Sequence, residues 1–346
     1  MKLGLLLRYA GEAGGPRMDM VLEAERLGYT SVWAGESYGT DAVTPIAWVL
    51  ARTNRIKAGT GIMQMSARTP ACAAMTAATL QAMSNNRFLL GVGPSGPQVI
   101  EGWHGLPYGK PLTRTKEYIQ IVRKVFAREA PLEFRGELYQ IPYAGTGASG
   151  LGKPLKSILH ANPDLLIYTA AISPAGLRTA GEVADGVQPF LMSPERTAMI
   201  TEPVLDGRDA AGKGRTLANF DIAPFVSVAM GRDLQACRDA IRPHLALYIG
   251  GMGARSKNFY NDFVKRMGYT EAAARIQDAY LAGRRDEAIA AVPDRLIDES
   301  ALVGPPERIR DRLQVWKESS KDGKIGTMLL GVTSMDALRV VAEAVL

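Results

Sequence analysis

The apolar and polar positions of the chain alternate between strand-like and helix-like segments from the first residue onward. Short apolar runs typical of strands buried on both faces are followed by segments with helical apolar spacing. Eight strand segments are predicted, over residues 2–7, 31–34, 56–63, 87–92, 164–170, 186–190, 222–230 and 326–332. Eight strand–helix units on one chain predict an α/β fold of the (β/α)8 TIM-barrel type, with a doubly wound open sheet as the alternative.

Two stretches interrupt this alternation. Residues 131–164, after the fourth strand, contain a hairpin pattern around Gly136 and a glycine-rich run over 144–152. Residues 234–298, after the seventh strand, are rich in helix-forming residues. We expect both stretches to be insertions that wall a pocket within one barrel domain spanning residues 1–346.

In such a barrel the functional groups lie on the loops that follow the strands. Glu36 follows the second strand, where a carboxylate can bind a ligand, act as an acid or base, or cap a helix. Gly59 and Gly61 leave the predicted third strand without packing side chains at two positions. Such glycines indicate either a bulge in the strand or another group that lies against its backbone. Arg68, just beyond, either meets an anion or pairs on the surface.

Residues 87–105 hold the strongest local signal. A buried strand opens into a loop with Gly91, Gly93 and Gly96, and this loop is either a binding site or a tight strand-to-helix turn. His104 follows it and is one of only three histidines in the chain, so its role is either catalytic or structural. After the fifth strand, Ser173 and a proline form a helix start whose free N–H groups either bind a phosphate or remain without a ligand.

Composition excludes several classes of function. The net charge of +6 is not concentrated in a tail, so it favours an anionic small molecule or mere solubility over nucleic acid. No apolar run reaches the roughly 20 residues of a membrane span, and the N-terminus lacks a secretory cleavage site. Cys72 and Cys237 suggest no disulfide framework, and the histidines lack metal-ligand spacing. We expect a cytoplasmic protein without a bound metal.

Several of these segments together resemble the luciferase-like monooxygenase superfamily, and within it the deazaflavin-dependent oxidoreductases that use coenzyme F-420. The resemblance rests on residues 4–7, Trp33 with 36–42, 59–62, 66–70, 95–103, 181–186, 250–255 and 258–262. It implies a (β/α)8 barrel that binds a tricyclic ring at the C-terminal ends of the strands. It also implies a non-prolyl cis peptide at Gly61–Ile62, in a bulge that backs the ring.

The resemblance further implies which residues contact the cofactor. The loop after the fourth strand corresponds to residues 93–95, and the phosphate-binding loop to residues 170–173. The predicted cofactor-binding residues are Glu36, Gly61, Ile62, Met63, Gln64, Gly93, Pro94, Ser95, Ala170, Ala171, Ile172 and Ser173. The residues predicted to take part in catalysis are His104, Glu36, Glu101 and Tyr9.

One part of the family pattern is absent. Members that oxidise sugar phosphates carry an Asp-His pair after the second strand and a glutamate after the fourth, where this chain has Glu36-Ser37 and Gly96. That activity is therefore not expected here. The leading hypothesis is hydride transfer between coenzyme F-420 and a small organic substrate. The alternatives are an FMN-dependent monooxygenase and a flavin-binding protein without turnover. The resemblance also implies a homodimer, with residues 71–83 as a candidate face or as ordinary core packing.

Overall fold

The computed structural model describes residues 1–7 and 15–346 of the chain. Within them, strands and helices alternate as the sequence predicts. The strands are β1 (Lys2–Leu7), β2 (Ser31–Ala34), β3 (Lys57–Thr60), β4 (Met63–Gln64), β5 (Phe88–Gly93), β6 (Phe134–Arg135), β7 (Gln140–Ile141), β8 (Ile167–Thr169), β9 (Gly186–Val187), β10 (Asp221–Ile222), β11 (Phe225–Met230), β12 (Ala301–Gly304) and β13 (Thr327–Gly331).

The helices pack outside these strands. They are α1 (Met18–Leu27), α2 (Val43–Arg52), α3 (Pro70–Met83), α4 (Pro97–Gly102), α5 (Pro111–Ala127), α6 (Pro174–Val183), α7 (Ala198–Ala210), α8 (Leu234–Ala246), α9 (Phe259–Arg266), α10 (Thr270–Leu281), α11 (Arg285–Ala290), α12 (Asp294–Ser300), α13 (Pro306–Ser319) and α14 (Met335–Val345). A π-helical turn, Leu247–Gly251, follows α8. None of the helices in the described ranges is long and apolar enough to cross a membrane.

Eleven of these strands, all except β6 and β7, form one curled parallel sheet, which makes this an α/β fold. Neighbours follow the order β10, β9, β8, β5, β3, β2, β1, β13, β11, β12, and β4 also pairs with β5. The backbone of residues 222–225 forms hydrogen bonds with β9 on one side and with the chain around β13 on the other. The N–H of Ala223 donates to Val187 O at 2.8 Å, and Ile222 O accepts from the N–H of Gly326 at 3.0 Å. This segment therefore links β9 with the chain entering β13.

The interior of the curled sheet holds its own apolar cluster. Trp33, Leu89, Tyr168, Ala223 and Leu329 come from different parts of the sheet and pack together inside it. The rings of Trp33 and Tyr168 meet edge to face with centroids 5.0 Å apart. The larger core lies between the sheet and the surrounding helices. The carboxyl ends of the strands therefore stand above a filled interior, where loops can form a site.

The strand boundaries differ from the prediction where the backbone cannot continue the ladder. The predicted third strand is split into β3 and β4 around Gly61–Ile62, and the seventh is split at Pro224, which has no N–H to donate. The sixth ends at Val187, two residues before Pro189. The fifth begins at Ile167, three residues later than predicted, and β12 was not predicted at all. The hairpin predicted around Gly136 is confirmed by the antiparallel pairing of β6 and β7.

Candidate active site

Three of the loops predicted to bind a cofactor meet at the carboxyl ends of β3, β5 and β8. A Cβ atom added to Gly93 would lie 2.9 Å from Ile62 Cδ1 and 3.5 Å from Ala170 Cβ. The absence of a side chain at Gly93 therefore brings the loops into direct contact. The Gly61–Ile62 peptide is cis, as the resemblance implies.

Glu36 is the hydrogen-bonding centre of this end of the sheet. Its Oε1 accepts from the Gln64 N–H at 2.7 Å and from Arg68 Nη1 at 2.7 Å, and its Oε2 accepts from the Ala42 N–H at 2.9 Å. Only 7% of the Glu36 side chain is exposed. Because both oxygens already bind donors of the chain, the geometry favours a structural role. A direct contact of Glu36 with a ligand stays a prediction. Arg68 pairs with Glu36. For this arginine, pairing with a carboxylate was the alternative to binding an anionic ligand.

Gln64 connects this carboxylate to His104. The Gln64 Nε2 group donates to the backbone oxygens of Glu36 at 3.2 Å and Ser37 at 3.1 Å, so Gln64 Oε1 is left as an acceptor. His104 Nε2 lies 2.5 Å from that oxygen and must therefore carry a proton. The neutral histidine then has its free lone pair on Nδ1, where it can accept a proton.

The loop after β5 is held by Tyr108. Its hydroxyl donates to Ser95 O at 3.1 Å, and its N–H donates to Glu101 Oε1 at 3.3 Å. Burial raises the pKa of Tyr108 to about 12, so the hydroxyl remains a donor at neutral pH. Ser95 has a positive φ of 57° and follows Pro94, which is half-buried. Glu101 itself is exposed, and its catalytic role stays a prediction.

The loop after β8 contains the predicted helix start. Ser173 caps α6, with its side-chain oxygen accepting from the Gly176 N–H at 3.2 Å, and Pro174 is the first helical residue. Ala170, Ala171 and Ser173 are half-buried, and Ile172 is buried. Arg266 of α9 donates from Nη2 to Ile172 O at 3.1 Å. No pattern in the sequence connects this arginine with the loop.

One predicted residue, Met63, is buried away from the other candidates. Met63 is 1% exposed and its side chain packs in the main core, so only its backbone is available to a ligand. Tyr9 lies outside the described residues.

Gln188 is a polar residue that the sequence interpretation missed. It is 1% exposed, and neither of its amide atoms has a hydrogen-bond partner among residues 1–7 and 15–346. A Cβ atom added to Gly61 would lie 3.3 Å from Gln188 Oε1, and one added to Gly91 would lie 3.4 Å from it. A glutamine inside the short apolar run 186–190 was the signal available, because polar side chains in strands buried on both faces require partners.

Comparison with known proteins decides the family. Residues 6–322 match the family model described as luciferase-like monooxygenase. The chain belongs to the luciferase-like monooxygenase family. It is 41% identical, over 98% of its length and 97% of the relative's, to a protein of Mycobacterium tuberculosis (strain ATCC 25618 / H37Rv) whose name provisionally gives it as a coenzyme F-420-dependent oxidoreductase. The resemblance predicted from the sequence is confirmed.

Solved structures of luciferase-like proteins share the fold. The coenzyme F-420-dependent tetrahydromethanopterin reductase of Methanopyrus kandleri matches with a TM-score of 0.77 and 21% identity, over 99% of this chain and 98% of that one. The oxygenating constituent of 3,6-diketocamphane monooxygenase of Pseudomonas putida, in complex with FMN, matches with a TM-score of 0.67 and 18% identity, over 100% and 99%.

An aromatic cluster of this luciferase-like chain stands beside the loops described above. Phe190, just after β9, contacts the ring of Tyr248 with centroids 4.6 Å apart, and Tyr248 contacts Tyr260 at 4.7 Å. His244 lies 4.8 Å from Tyr248 by the same measure. Burial, and to a lesser degree the nearby Tyr38, raises the pKa of Tyr248, so its hydroxyl stays protonated at neutral pH. The cluster supplies an apolar wall with a hydroxyl donor.

A separate cavity of about 800 Å³ lies between the ends of β1 and β2 and helix α2. It is lined mainly by apolar groups, including Pro45 and Trp48. None of the predicted cofactor-binding residues lines it. Its size alone does not make it the active site, because the convergent loops and polar groups lie elsewhere.

Proposed function

We propose that this protein is an oxidoreductase that transfers a hydride between coenzyme F-420 and a small organic substrate. The observation that carries the proposal is the contact of Ile62, Gly93 and Ala170 at three strand ends, a cradle whose floor stays flat because Gly93 has no side chain. The 41% identical relative supports the choice of coenzyme. A cytoplasmic location belongs to the proposal and is supported by the free thiols of Cys72 and Cys237.

The residues present fit a flat ring with a polar edge and an anionic side chain. A larger residue at Gly93 would collide with Ile62, and the buried amide of Gln188, close to Gly61, offers a donor and an acceptor. A buried amide without a partner costs about 1–3 kcal/mol, which favours a function over simple packing. We expect Gly61 and Ile62 to back the ring, and Ser95 with residues 170–173 to bind the ribityl and phosphate groups.

The mechanism follows from positioning and proton transfer. When bound, coenzyme F-420 supplies the ring carbon that gives or accepts the hydride. The chain orients the substrate against that face and excludes water from it, with Tyr248 and Phe190 forming the opposite wall. His104 holds or releases a proton at Nδ1, because Gln64 fixes its other nitrogen as a donor. Glu101 and Tyr9 are the other residues predicted to give a proton to the substrate or to take one from it.

Titration of the purified protein tests the proposal. We expect coenzyme F-420 to bind at micromolar concentration or below and FMN to bind about ten-fold more weakly. Tighter binding of FMN, with oxygen consumption when reduced FMN is supplied, would favour the monooxygenase alternative. Failure of both to bind would reject the proposal.

Substitution of Gly93→Val is expected to weaken coenzyme F-420 binding about 100-fold or more, because the added atoms collide with Ile62 and displace the residue expected to back the ring. Gly102→Ala is the matched control, since a Cβ there meets nothing within 4 Å. The measurement is the dissociation constant from fluorescence titration. Equal binding by both variants would show that the cradle is not the ring site.

We infer that the sheet is a closed (β/α)8 barrel in one domain, with insertions over 131–164 and 234–298. The two-sided hydrogen bonding of residues 222–225 supports closure between β9 and β13. The stretch 234–298 contains α8 to α11 and the first residues of α12, and its aromatic side chains support a role as a wall of the pocket.

We further infer a homodimer formed through α2 and α3. Helix α3 has no charged residue in its fourteen positions, yet Met75 is 66% and Met83 78% exposed. Trp48 on α2 is 51% exposed. Apolar faces of this kind mark interaction surfaces.

Substitution of Met75→Lys is expected to convert the dimer into a monomer of about 37 kDa, because it buries a charge in the interface. Light scattering coupled to size exclusion measures the mass. Leu22→Lys on α1, exposed to 45%, is the control that should leave a dimer intact. A wild-type mass of one chain would refute the dimer.

A further inference from the structure

The aromatic cluster of Phe190, His244, Tyr248 and Tyr260 reaches across the end of the sheet where the candidate loops meet. Phe190 follows β9, and the ring centroid of Tyr248 lies 4.6 Å from that of Phe190. Tyr248 also interacts through space with Tyr38, in the loop after β2. In the sheet order, β3, β5 and β8 lie between β2 and β9. The cluster therefore spans the ends of the three strands whose loops form the cradle.

Tyr248 lies in the π-helical turn Leu247–Gly251, which two buried asparagines hold in place. Asn258 Nδ2 donates to Tyr248 O at 3.2 Å and to Ile249 O at 3.0 Å, and Asn261 Nδ2 donates to Ile249 O at 3.0 Å. Such turns often mark functional sites, and their carbonyls need partners outside the helix. Because these carbonyls are bound, the backbone that carries the Tyr248 ring is fixed before a ligand arrives.

The hydroxyl of Tyr248 makes no hydrogen bond with the part of the chain that the structure describes. Its ring is half-buried and contacts the other three rings of the cluster. Burial raises the pKa of Tyr248, so the hydroxyl stays protonated and uncharged at neutral pH. A polar group without a partner in apolar surroundings costs free energy, which an oxygen of a ligand would recover. The cluster therefore combines apolar faces with a donor that is still available.

We propose that the substrate is a flat, uncharged, conjugated ketone or aldehyde, or the corresponding alcohol, whose oxygen binds the Tyr248 hydroxyl while its plane lies against the aromatic cluster. The inference rests on the proposed function and names the substrate class of the same site. Aromatic rings favour stacked and edge-to-face contacts with other flat conjugated groups. The four side chains of the cluster include no carboxylate, lysine or arginine, so the cluster offers no partner to a charged substrate.

The electrons and protons of the reaction balance for this substrate class. In the direction of reduction, the carbonyl carbon gains the hydride, the π electron pair of the C=O bond moves to the oxygen, and the oxygen gains one proton. The two electrons come from the reduced coenzyme of the proposed function. The Tyr248 hydroxyl stabilises the negative charge that develops on the oxygen. The proton that completes the alcohol is the one that His104 holds in the proposed mechanism.

Two probes of the same shape that differ in one oxygen test the role of Tyr248. Acetophenone carries the carbonyl, and α-methylstyrene has a CH2 group in place of the oxygen. Both are titrated by calorimetry into protein loaded with oxidised coenzyme F-420, so that no turnover occurs. Tyr248→Phe is expected to raise the dissociation constant for acetophenone about 3- to 10-fold and to leave that for α-methylstyrene within about two-fold, because it removes a hydrogen bond and keeps the ring.

Tyr29→Phe is the matched control. It also removes one tyrosine hydroxyl, but Tyr29 precedes β2 at the amino end of the sheet, where its hydroxyl donates to Leu338 O at 3.0 Å. Both dissociation constants should stay unchanged in this variant. Tyr248→Ala removes the ring as well as the hydroxyl, so it should weaken the binding of both probes.

The outcomes distinguish this inference from the proposed function. If the protein does not bind coenzyme F-420, the proposed function fails and the substrate inference fails with it. If the coenzyme binds, but acetophenone binds to neither form or equally well to wild type and Tyr248→Phe, the inference is refuted and the proposed function stands. Acetophenone that competes with coenzyme F-420 would occupy the cradle itself, which also refutes the inference. Equal weakening of both probes by Tyr248→Phe would refute the hydrogen bond to the oxygen.

Discussion

Replacing Glu36 with alanine is expected to lower the free energy of unfolding by about 3–5 kcal/mol and to abolish binding of coenzyme F-420. The substitution leaves Arg68 with only Asp41, 3.8 Å away, and leaves the Gln64 N–H without its acceptor. Loss of the Gln64 contact also releases the amide that fixes His104. Urea denaturation and fluorescence titration measure the two effects.

Asp206→Ala provides the comparison for the Glu36 substitution. Asp206 also binds an arginine, Arg215, but its side chain is 48% exposed, so its removal should change stability by less than about 1 kcal/mol and leave binding intact. Wild-type-like stability in Glu36→Ala would show that the buried network is not cooperative.

Substitution of Gly91→Ala is expected to be the most destabilising single-methyl change in the sheet. A Cβ atom at residue 91 would lie 1.9 Å from the backbone oxygen of Thr60, which cannot move without breaking the strand pairing. The Thr60 hydroxyl also donates to Gly91 O at 2.7 Å and accepts from its N–H at 3.0 Å. We expect a loss of at least about 4 kcal/mol or failure to accumulate as soluble protein.

The midpoint of urea denaturation and the soluble yield measure the effect at residue 91. Gly102→Ala again serves as the control, because α4 offers open space at that position and alanine favours a helix. A stable Gly91→Ala variant would mean that β3 and β5 can separate at this point, contrary to the close approach described.

The alternation of strands and helices was predictable because a parallel sheet covered on both faces requires continuous apolar runs. The strand boundaries that were predicted wrongly, and the strand that was missed, depend on groups outside each apolar run. Proline at 224 splits one strand, and β12 is a run of four residues whose pairing with β11 comes from distant chain. The resemblance supplied the cis peptide at Gly61–Ile62, which no local pattern encodes.

The meeting of the candidate loops was predictable from sequence, whereas the side-chain contacts among them were less so; binding of a cofactor by these loops stays a prediction. Glycine-rich strand ends identified the cradle around Gly93, since small residues are needed where backbones approach. The partners of Glu36 could not be read from sequence, because they come from three separate segments. Arg266 was missed for the same reason: its contact spans 94 residues of sequence.

The contacts between the stretch 234–298 and the loops proposed to bind the cofactor have a consequence for the divergence of this fold. Arg266 contacts a backbone oxygen, and the Gln98 side-chain oxygen, in the amide orientation that its neighbours require, accepts from the N–H groups of Gly253 and Ala254. Each contact uses a main-chain atom on one side, so most residue types at those main-chain positions preserve it. If these loops bind the cofactor as proposed, the residues that face the substrate can change during evolution without releasing the loops, and new specificities can arise in small steps.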